Sequence, residues 1–367
     1  MSQPRVAITL LQCWHRVPGG TAAATLAMCR ALLDRGEVDL VGVGPWGRSL
    51  PEPPWTPPIP VVRLPLPYQA VYEGWHYLGW PSVERRCPDA DLVHATAATI
   101  PPRGDRPLVV SVYDVFPLSA PEQFTPRGVR LLSRGIELAR RHADLVVCPS
   151  QATMDDCVAA GFDVGRLRLV PLGVTQHEVT ARDRERVRTR YSIDRPYLLW
   201  VGTIEPRKNL PTLLEAYRRM GEVEHDLVIV GPPGWGDELE SMVLGIGDRV
   251  RHLGFVSADD LPAVYDGATA FCFPSLREGF GLPPLEAMSH GVPVVSSAGT
   301  ASAEVVGDGG LLVDALDVDG WADALTRLLR DGELRARLGS RGRAIASGYG
   351  WDRVASRMVD VYREALG

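Results

Sequence analysis

Short apolar runs separated by helical spacing recur along this 367-residue chain, and the alternation starts afresh once. Nothing else in the sequence restricts the fold as strongly. A strand joined to the next through a helix-length crossover pairs in parallel, and a parallel sheet needs helices on both faces. The first series opens with residues 6–11 (VAITLL), a Pro18-Gly19-Gly20 turn and a helix over residues 21–34. It continues through β-like runs at 40–43, 91–94, 108–113 and 145–148, with helical spacing over 125–142 and 151–160. The second series follows a polar helical stretch at 181–190 and begins at residues 197–201 (YLLWV). Its further strands are expected at 227–230, 250–253, 270–273, 292–296 and 311–313. The length exceeds what one core usually holds. The expected organisation is therefore two doubly wound α/β domains, residues 1–173 and 174–350, facing a central cleft. Residues 351–367 place Trp351, Val354, Ala355, Met358, Val361 and Tyr362 on one helical face.

Composition excludes several classes. Hydrophobic residues make up 45% and charged residues 23%, which is globular rather than disordered. A formal net charge of −6 argues against nucleic acid as a partner. No apolar run reaches the length of a spanning helix, and the N-terminus lacks a signal-peptide pattern. The expected location is cytoplasmic, with peripheral contact at the inner membrane surface left open. The cysteines (13, 29, 87, 148, 157 and 272) lack metal or disulfide spacing and read as buried thiols. Residues 49–60 hold six prolines and read as a surface loop. Beyond it, Tyr68, Tyr72, Trp75, Tyr77 and Trp80 form either a local aromatic core or a wall for an acceptor. Of 39 basic residues, Lys208 is the only lysine, which marks a position where a compact ammonium is needed.

Ligands of doubly wound sheets sit beyond the carboxyl ends of the strands, so the loops there carry the candidate chemistry. Gly42-Val43-Gly44-Pro45-Trp46-Gly47 matches a dinucleotide fingerprint in letters only. It lies on the second strand, is interrupted by Pro45 and is followed by no helix, so it is rejected, and a nicotinamide enzyme with it. Gly19 and Gly20 have the required context, with a strand before and a helix after. Gly202-Thr203-Ile204-Glu205-Pro206-Arg207-Lys208-Asn209 follows a strand and places two cations ahead of a helix, with Asn209 as the expected N-cap. Ammonium and guanidinium together suit a diphosphate. Residues 274–288 then offer Glu278 in a loop, the amides of Phe280, Gly281 and Leu282, and Glu286 in the first helical turn. Carboxylates accept well from vicinal hydroxyls, so a nucleoside diphosphate sugar would satisfy the whole set. The D-x-D triplets, Asp89-Ala90-Asp91 and Asp317-Val318-Asp319, have bland settings, and no metal site is expected.

Glu278-Gly-Phe-Gly-Leu-Pro-Pro-Leu-Glu286-Ala-Met resembles the E-x7-E signature of the retaining glycosyltransferases of family 4, which have the GT-B fold of two Rossmann-like domains. V-G-T-I-E-P-R-K-N, P-G-G-T, P-S-Q-A-T, V-P-L-G-V and Y-G-W-D-R-V-A resemble further landmarks of that family, over about residues 6–362. The resemblance implies that Arg207 and Lys208 bind the pyrophosphate of a UDP- or GDP-sugar, with Gly19 and Gly20 closing from the other domain. Gly202 and Thr203 belong to the same donor-binding stretch. Glu278 would hold sugar hydroxyls, and Glu286 the ribose. The final helix would cross back to the first domain, which would bind a glycan, lipid-linked or small-molecule acceptor. It also implies catalysis with no cofactor, no metal and no covalent nucleophile. One landmark differs: Tyr113, followed by Asp114, stands where the family usually has a histidine, with its hydroxyl expected to reach further out. A nucleotide-sugar epimerase of the same fold and a non-catalytic binding module are the alternatives. The first lacks the E-x7-E arrangement; turnover in the presence of acceptor separates the second.

Overall fold

The computed structural model describes residues 3–15, 18–47, 49–234 and 248–367. It divides into two units, one of Met1–Gly173 with Trp351–Gly367 and one of Val174–Gly350. Each is a parallel sheet, as the twofold alternation requires.

The first unit's strands are β1 (Arg5–Thr9), β2 (Asp39–Gly44), β3 (Val61–Arg63), β4 (Leu92–Ala95), β5 (Leu108–Ser111), β6 (Leu145–Cys148) and β7 (Leu167–Leu169). Their order in the sheet is β3-β2-β1-β4-β5-β6-β7. The strand order reverses between β1 and β4, the place where such sheets leave a crevice for ligands. β3 and β7, three residues each, were too short to stand out in the sequence. Gly42 and Gly44 serve packing. A Cβ on Gly42 would lie 2.6 Å from Leu10, and one on Gly44 would lie 2.8 Å from the Trp14 ring.

The first helix, Gly19–Arg35, begins two residues earlier than expected and ends at Gly36, whose left-handed backbone lets its N–H bond the Leu32 and Leu33 carbonyls. Leu26, Cys29 and Leu32 share a core with Val354, Ala355, Met358 and Tyr362 of the last helix, Trp351–Leu366. A Cβ on Gly173 would lie 2.6 Å from the Trp351 ring, so the chain leaves and re-enters this unit at one tight contact.

The second unit holds β8 (Tyr197–Val201), β9 (Asp226–Val230), β10 (Val250–Gly254), β11 (Ala270–Phe273), β12 (Val294–Ser297) and β13 (Gly310–Val313), ordered β10-β9-β8-β11-β12-β13. Here the order reverses between β8 and β11. Both strands are apolar and almost wholly buried, as central parallel strands must be. Among the described residues, no helix is long and apolar enough to cross a membrane.

Candidate active site

The loops after β8 and β11 meet at the second unit's order reversal. Pro206–Lys208 form a single 3-10 turn, and Asn209 follows with a left-handed backbone (φ 53°). Asn209 does not cap the helix Leu210–Arg219 through its side chain as expected. Its amide nitrogen donates instead to the Pro274 carbonyl at 3.0 Å and the Ala315 carbonyl at 2.6 Å. The lysine-bearing turn is thereby tied to the loop after β11.

The turn places Lys208 Nζ 2.7 Å from Glu278 Oε1, and Arg207 Nη1 3.1 Å from the same oxygen. Arg207 Nη2 donates to Glu205 at 2.5 Å. The side chains of Lys208, Glu278 and Glu205 are 11%, 9% and 7% exposed. Two cations and two carboxylates thus form one neutral, largely buried cluster. Burial pushes the Glu278 carboxyl up, but the Lys208 and Arg207 charges pull it below its ordinary value overall. Burial also lowers the Lys208 ammonium, against the opposing pull of Glu278. Lys208 Nζ lies 5.0 Å from the Phe273 ring centroid, a cation–π contact at the end of β11. Such a cluster can exchange an internal carboxylate for an incoming anion without exposing bare charge.

Close backbone packing shapes the surrounding loops. Gly231 carries φ 134°, and a Cβ there would fall 1.9 Å from the Gly202 carbonyl oxygen. A Cβ at Gly234 would lie 2.9 Å from the Thr203 methyl. Gly281, with φ 112°, leads directly into the helix Leu282–Ser289, and a Cβ on it would strike Ser302 at 2.8 Å. Phe280 is buried edge-on against Tyr349.

Glu286 is the fifth residue of its helix, past the first turn where it was expected. Its Oε2 accepts from the Tyr265 hydroxyl at 2.8 Å. Burial raises its carboxyl to about 7, and the Tyr265 hydrogen bond only partly opposes this. Tyr265 itself stacks on His290 with an interplanar angle of 7°.

In the first unit, Gly19 (φ 66°) and Gly20 open the first helix, with open space where their Cβ atoms would be. Tyr113 and Asp114 follow β5. The Tyr113 phenol lies beside Thr25 and Ser111, and burial pushes it up to about 12. Asp114 Oδ1 accepts from the Phe116 N–H at 3.3 Å. Both border a cavity of about 250 Å³, which Gln12, His15, Tyr72 and Thr99 also line. His15 Nε2 and the Tyr72 hydroxyl are 2.8 Å apart. The two readings of the aromatic cluster divide between residues. Trp75 is core, Tyr72 borders the cavity, and Tyr77 and Trp80 are exposed.

Sequence reasoning missed Glu205 and Tyr265. Glu205 had a signal, a carboxylate two positions from Arg207; Tyr265 had none, since only the fold brings it to Glu286. The D-x-D triplets do structural work: Asp91 accepts from the Arg5 N–H at 2.8 Å, and Asp317 caps the helix Val318–Arg330. Among the described residues, no three His, Cys, Asp or Glu side chains are grouped to hold a metal ion.

The chain matches two family models in succession, Glycosyltransferase Family 4 over residues 18–178 and Glycosyl transferases group 1 over residues 182–345. It is 31% identical over 282 residues to O-antigen chain mannosyltransferase B of Escherichia coli, covering 74% of each chain. The chain belongs to the GT-B glycosyltransferases. A D-inositol 3-phosphate glycosyltransferase of Xylanimonas cellulosilytica is 33% identical over 320 residues, 80% of this chain and 73% of that one. Among solved structures, Anabaena HepE in complex with UDP and glucose superposes with a TM-score of 0.77 at 20% identity, covering 98% of this glycosyltransferase and all of HepE. Sucrose-phosphate synthase from Thermosynechococcus elongatus gives 0.79 at 21% identity, over 99% of both chains. These likenesses carry the two-domain Rossmann-like fold.

Proposed function

We propose that this glycosyltransferase moves a sugar from a UDP- or GDP-sugar to an acceptor hydroxyl with retention of anomeric configuration, and without a metal ion. The observation that carries the reading is the neutral cluster of Glu205, Arg207, Lys208 and Glu278 at the strand-order reversal of the second unit. A diphosphate would take the two cations, releasing Glu278 to accept from sugar hydroxyls. Glu205 keeps Arg207 oriented meanwhile. Glu286 would accept from the ribose, and the Gly202-Thr203 and Phe280-Gly281-Leu282 backbones would line the donor. UDP and glucose in the complex of HepE support a nucleotide sugar as donor.

In the proposed step, the bond from the anomeric carbon to the diphosphate oxygen breaks. The acceptor oxygen bonds to the same face, and its proton passes to the departing diphosphate. No side chain serves as nucleophile. Arg207 and Lys208 stabilise charge as it builds on the leaving group, which is positioning plus electrostatics. The cavity bordered by Asp114, Tyr72 and Gln12 is proposed for a glycan, lipid-linked or small-molecule acceptor, with Gly19 and Gly20 at the donor phosphates. The chain acts in this reading as a soluble enzyme of the cytoplasm, peripheral at most to the inner membrane surface. The test is release of nucleoside diphosphate from candidate donors with and without acceptor. Acceptor-dependent release supports the reading; saturable donor binding without turnover supports a binding module instead.

A further inference from the structure

The cavity of about 250 Å³ in the first unit has two unlike ends. It lies beyond the carboxyl ends of β1, β4 and β5, at the reversal of strand order. β4 stands between β1 and β5, so a strand spacing of about 4.8 Å sets the two ends ~10 Å apart. At the β5 end, the helix Pro126–His142 contributes Leu132, Gly135, Ile136 and Ala139, whose spacing of three, four and seven puts them on one face. Gly135 lets that helix come close, since a Cβ there would fall 1.8 Å from the Ala98 carbonyl oxygen. Val110 and Val112, two apart on β5 and its extension, border the same space and share a buried core with Ile136 and Ala139. The backbone groups of a helix interior are spent on each other, so this wall offers a ligand no hydrogen bond. Asp114, which also borders this end, accepts from the Phe116 N–H.

The β1 end is polar. His15 Nε2 and the Tyr72 hydroxyl are 2.8 Å apart, and the Tyr68 hydroxyl donates to that of Tyr72 at 3.3 Å. The Tyr68 ring stands edge-on to both, with centroids 5.4 Å and 5.5 Å away. Burial lowers the His15 pKa, so the imidazole is neutral at pH 7. The pair therefore presents an imidazole and a phenol in fixed geometry and without charge. A sugar ring at the opposite end would leave its hydroxyls unpaired against the apolar wall, which is costly, whereas an apolar group there gains by burial. The volume exceeds the ~150 Å³ apolar cavity that takes benzene and falls below the ~300–1,000 Å³ of pockets that enclose drug-sized ligands. It suits a ring-sized apolar group and is too small for a long lipid chain.

We propose that the acceptor is a small amphiphile, whose compact apolar group of aryl size fills the end lined by Leu132, Ile136, Ala139, Val110 and Val112, while His15 and Tyr72 hold its hydroxyl-bearing part. The proposal rests on the reading of this cavity as the acceptor site, and it selects a small molecule over a glycan or a lipid-linked acceptor. The helix face fixes the size of the apolar group, and the His15–Tyr72 pair fixes which end of the acceptor carries the hydroxyls.

The test measures binding of phenyl, methyl and dodecyl glycosides of mannose, glucose and galactose to the full chain, by calorimetry and saturation-transfer NMR without donor. For at least one sugar, the phenyl glycoside should bind at least about tenfold more tightly than the methyl one, a modest share of what burying a ring gives. Saturation should be strongest on the phenyl protons. In Ala139→Leu the longer side chain enters the cavity, and in Leu132→Asn the wall gains a polar group. Either should erase the phenyl preference and leave affinity for UDP and GDP unchanged. Tyr72→Phe should weaken phenyl and methyl glycosides alike, about three- to tenfold, the worth of one hydrogen bond. Equal binding of phenyl and methyl glycosides, no binding of either, or a phenyl preference that survives both wall substitutions would overturn the proposal. So would dodecyl glycosides that bind at least about tenfold more tightly than phenyl ones below their micelle threshold, since a long chain needs more room than this. The binding arm uses no donor. A wild type that binds phenyl glycosides and transfers nothing would therefore refute the proposed function and leave the assignment of the cavity standing.

Discussion

Lys208→Ala removes the ammonium 2.7 Å from Glu278 but leaves Arg207 at 3.1 Å, so the carboxylate keeps one cation. The stability loss should therefore fall short of the ~3–5 kcal/mol for stranding a buried charge, at about 1–2 kcal/mol. That is a fall in Tm of only a few degrees. The loss of function should be larger. A charge-assisted bond to a diphosphate contributes ~1.5–3 kcal/mol, so nucleotide affinity should drop roughly ten- to a hundredfold. Charge grows on the diphosphate as it departs, so turnover should fall about a hundredfold, or ~3 kcal/mol. Lys208→Arg keeps the charge but changes its shape, at a side chain only 11% exposed. A planar guanidinium does not fit there as a compact ammonium does, so about tenfold impairment is expected. Calorimetric titration with UDP and GDP, turnover by diphosphate release, and a melting curve as the folding control separate these effects. Full activity in Lys208→Arg, or wild-type diphosphate affinity in Lys208→Ala, would refute the reasoning.

Three further outcomes follow from the same geometry. The Glu286 carboxyl is raised to about 7, above its unfolded value, so its stabilising protonation is present at low pH and lost as pH rises toward 7. Wild type should therefore lose about 2 kcal/mol relative to Glu286→Gln between roughly pH 4.5 and 7. Donor affinity should rise over the upper part of that window as the carboxylate forms; a pH-independent stability difference would contradict the assignment. Gly281→Ala should lose activity and about 2 kcal/mol or more of stability, because φ is 112° and the new methyl would meet Ser302 at 2.8 Å; a wild-type melting curve would refute this. Activity should survive EDTA, since two cations already face the expected diphosphate; loss restored by Mn²⁺ or Mg²⁺ would contradict it.

What the sequence revealed, it revealed locally. YLLWV and AFCF were legible as strands because central parallel strands are apolar on both faces, and their bounds match β8 and β11. Arg207, Lys208 and Glu278 were legible as candidates because cations, glycines and a carboxylate cluster in loops after such strands. That Lys208 and Glu278 share an ion pair was not, because 70 positions separate them and only the adjacency of β8 to β11 joins them. The His94–Tyr362 bond spans 268 positions and lies outside every motif. Tyr113 shows the limit in another way. Its place at a strand end was readable, but the neighbourhood of Thr25 and Ser111 around its phenol was not, since no local pattern connects them to it.

The central claim is transfer with retention from a nucleotide sugar held by the Arg207–Lys208–Glu278 cluster. The most direct measurement follows wild type and Glu278→Gln by NMR with UDP-glucose or GDP-mannose across glycan, lipid-linked and small-molecule acceptors. Nucleoside diphosphate and the anomeric signals of the product are read together. The account predicts one diphosphate released per acceptor consumed and an α-configured product from the α-configured donor. It also predicts at least hundredfold slower transfer by Glu278→Gln, which should still bind the free diphosphate. A β-configured product, or wild-type rates in Glu278→Gln, would contradict it.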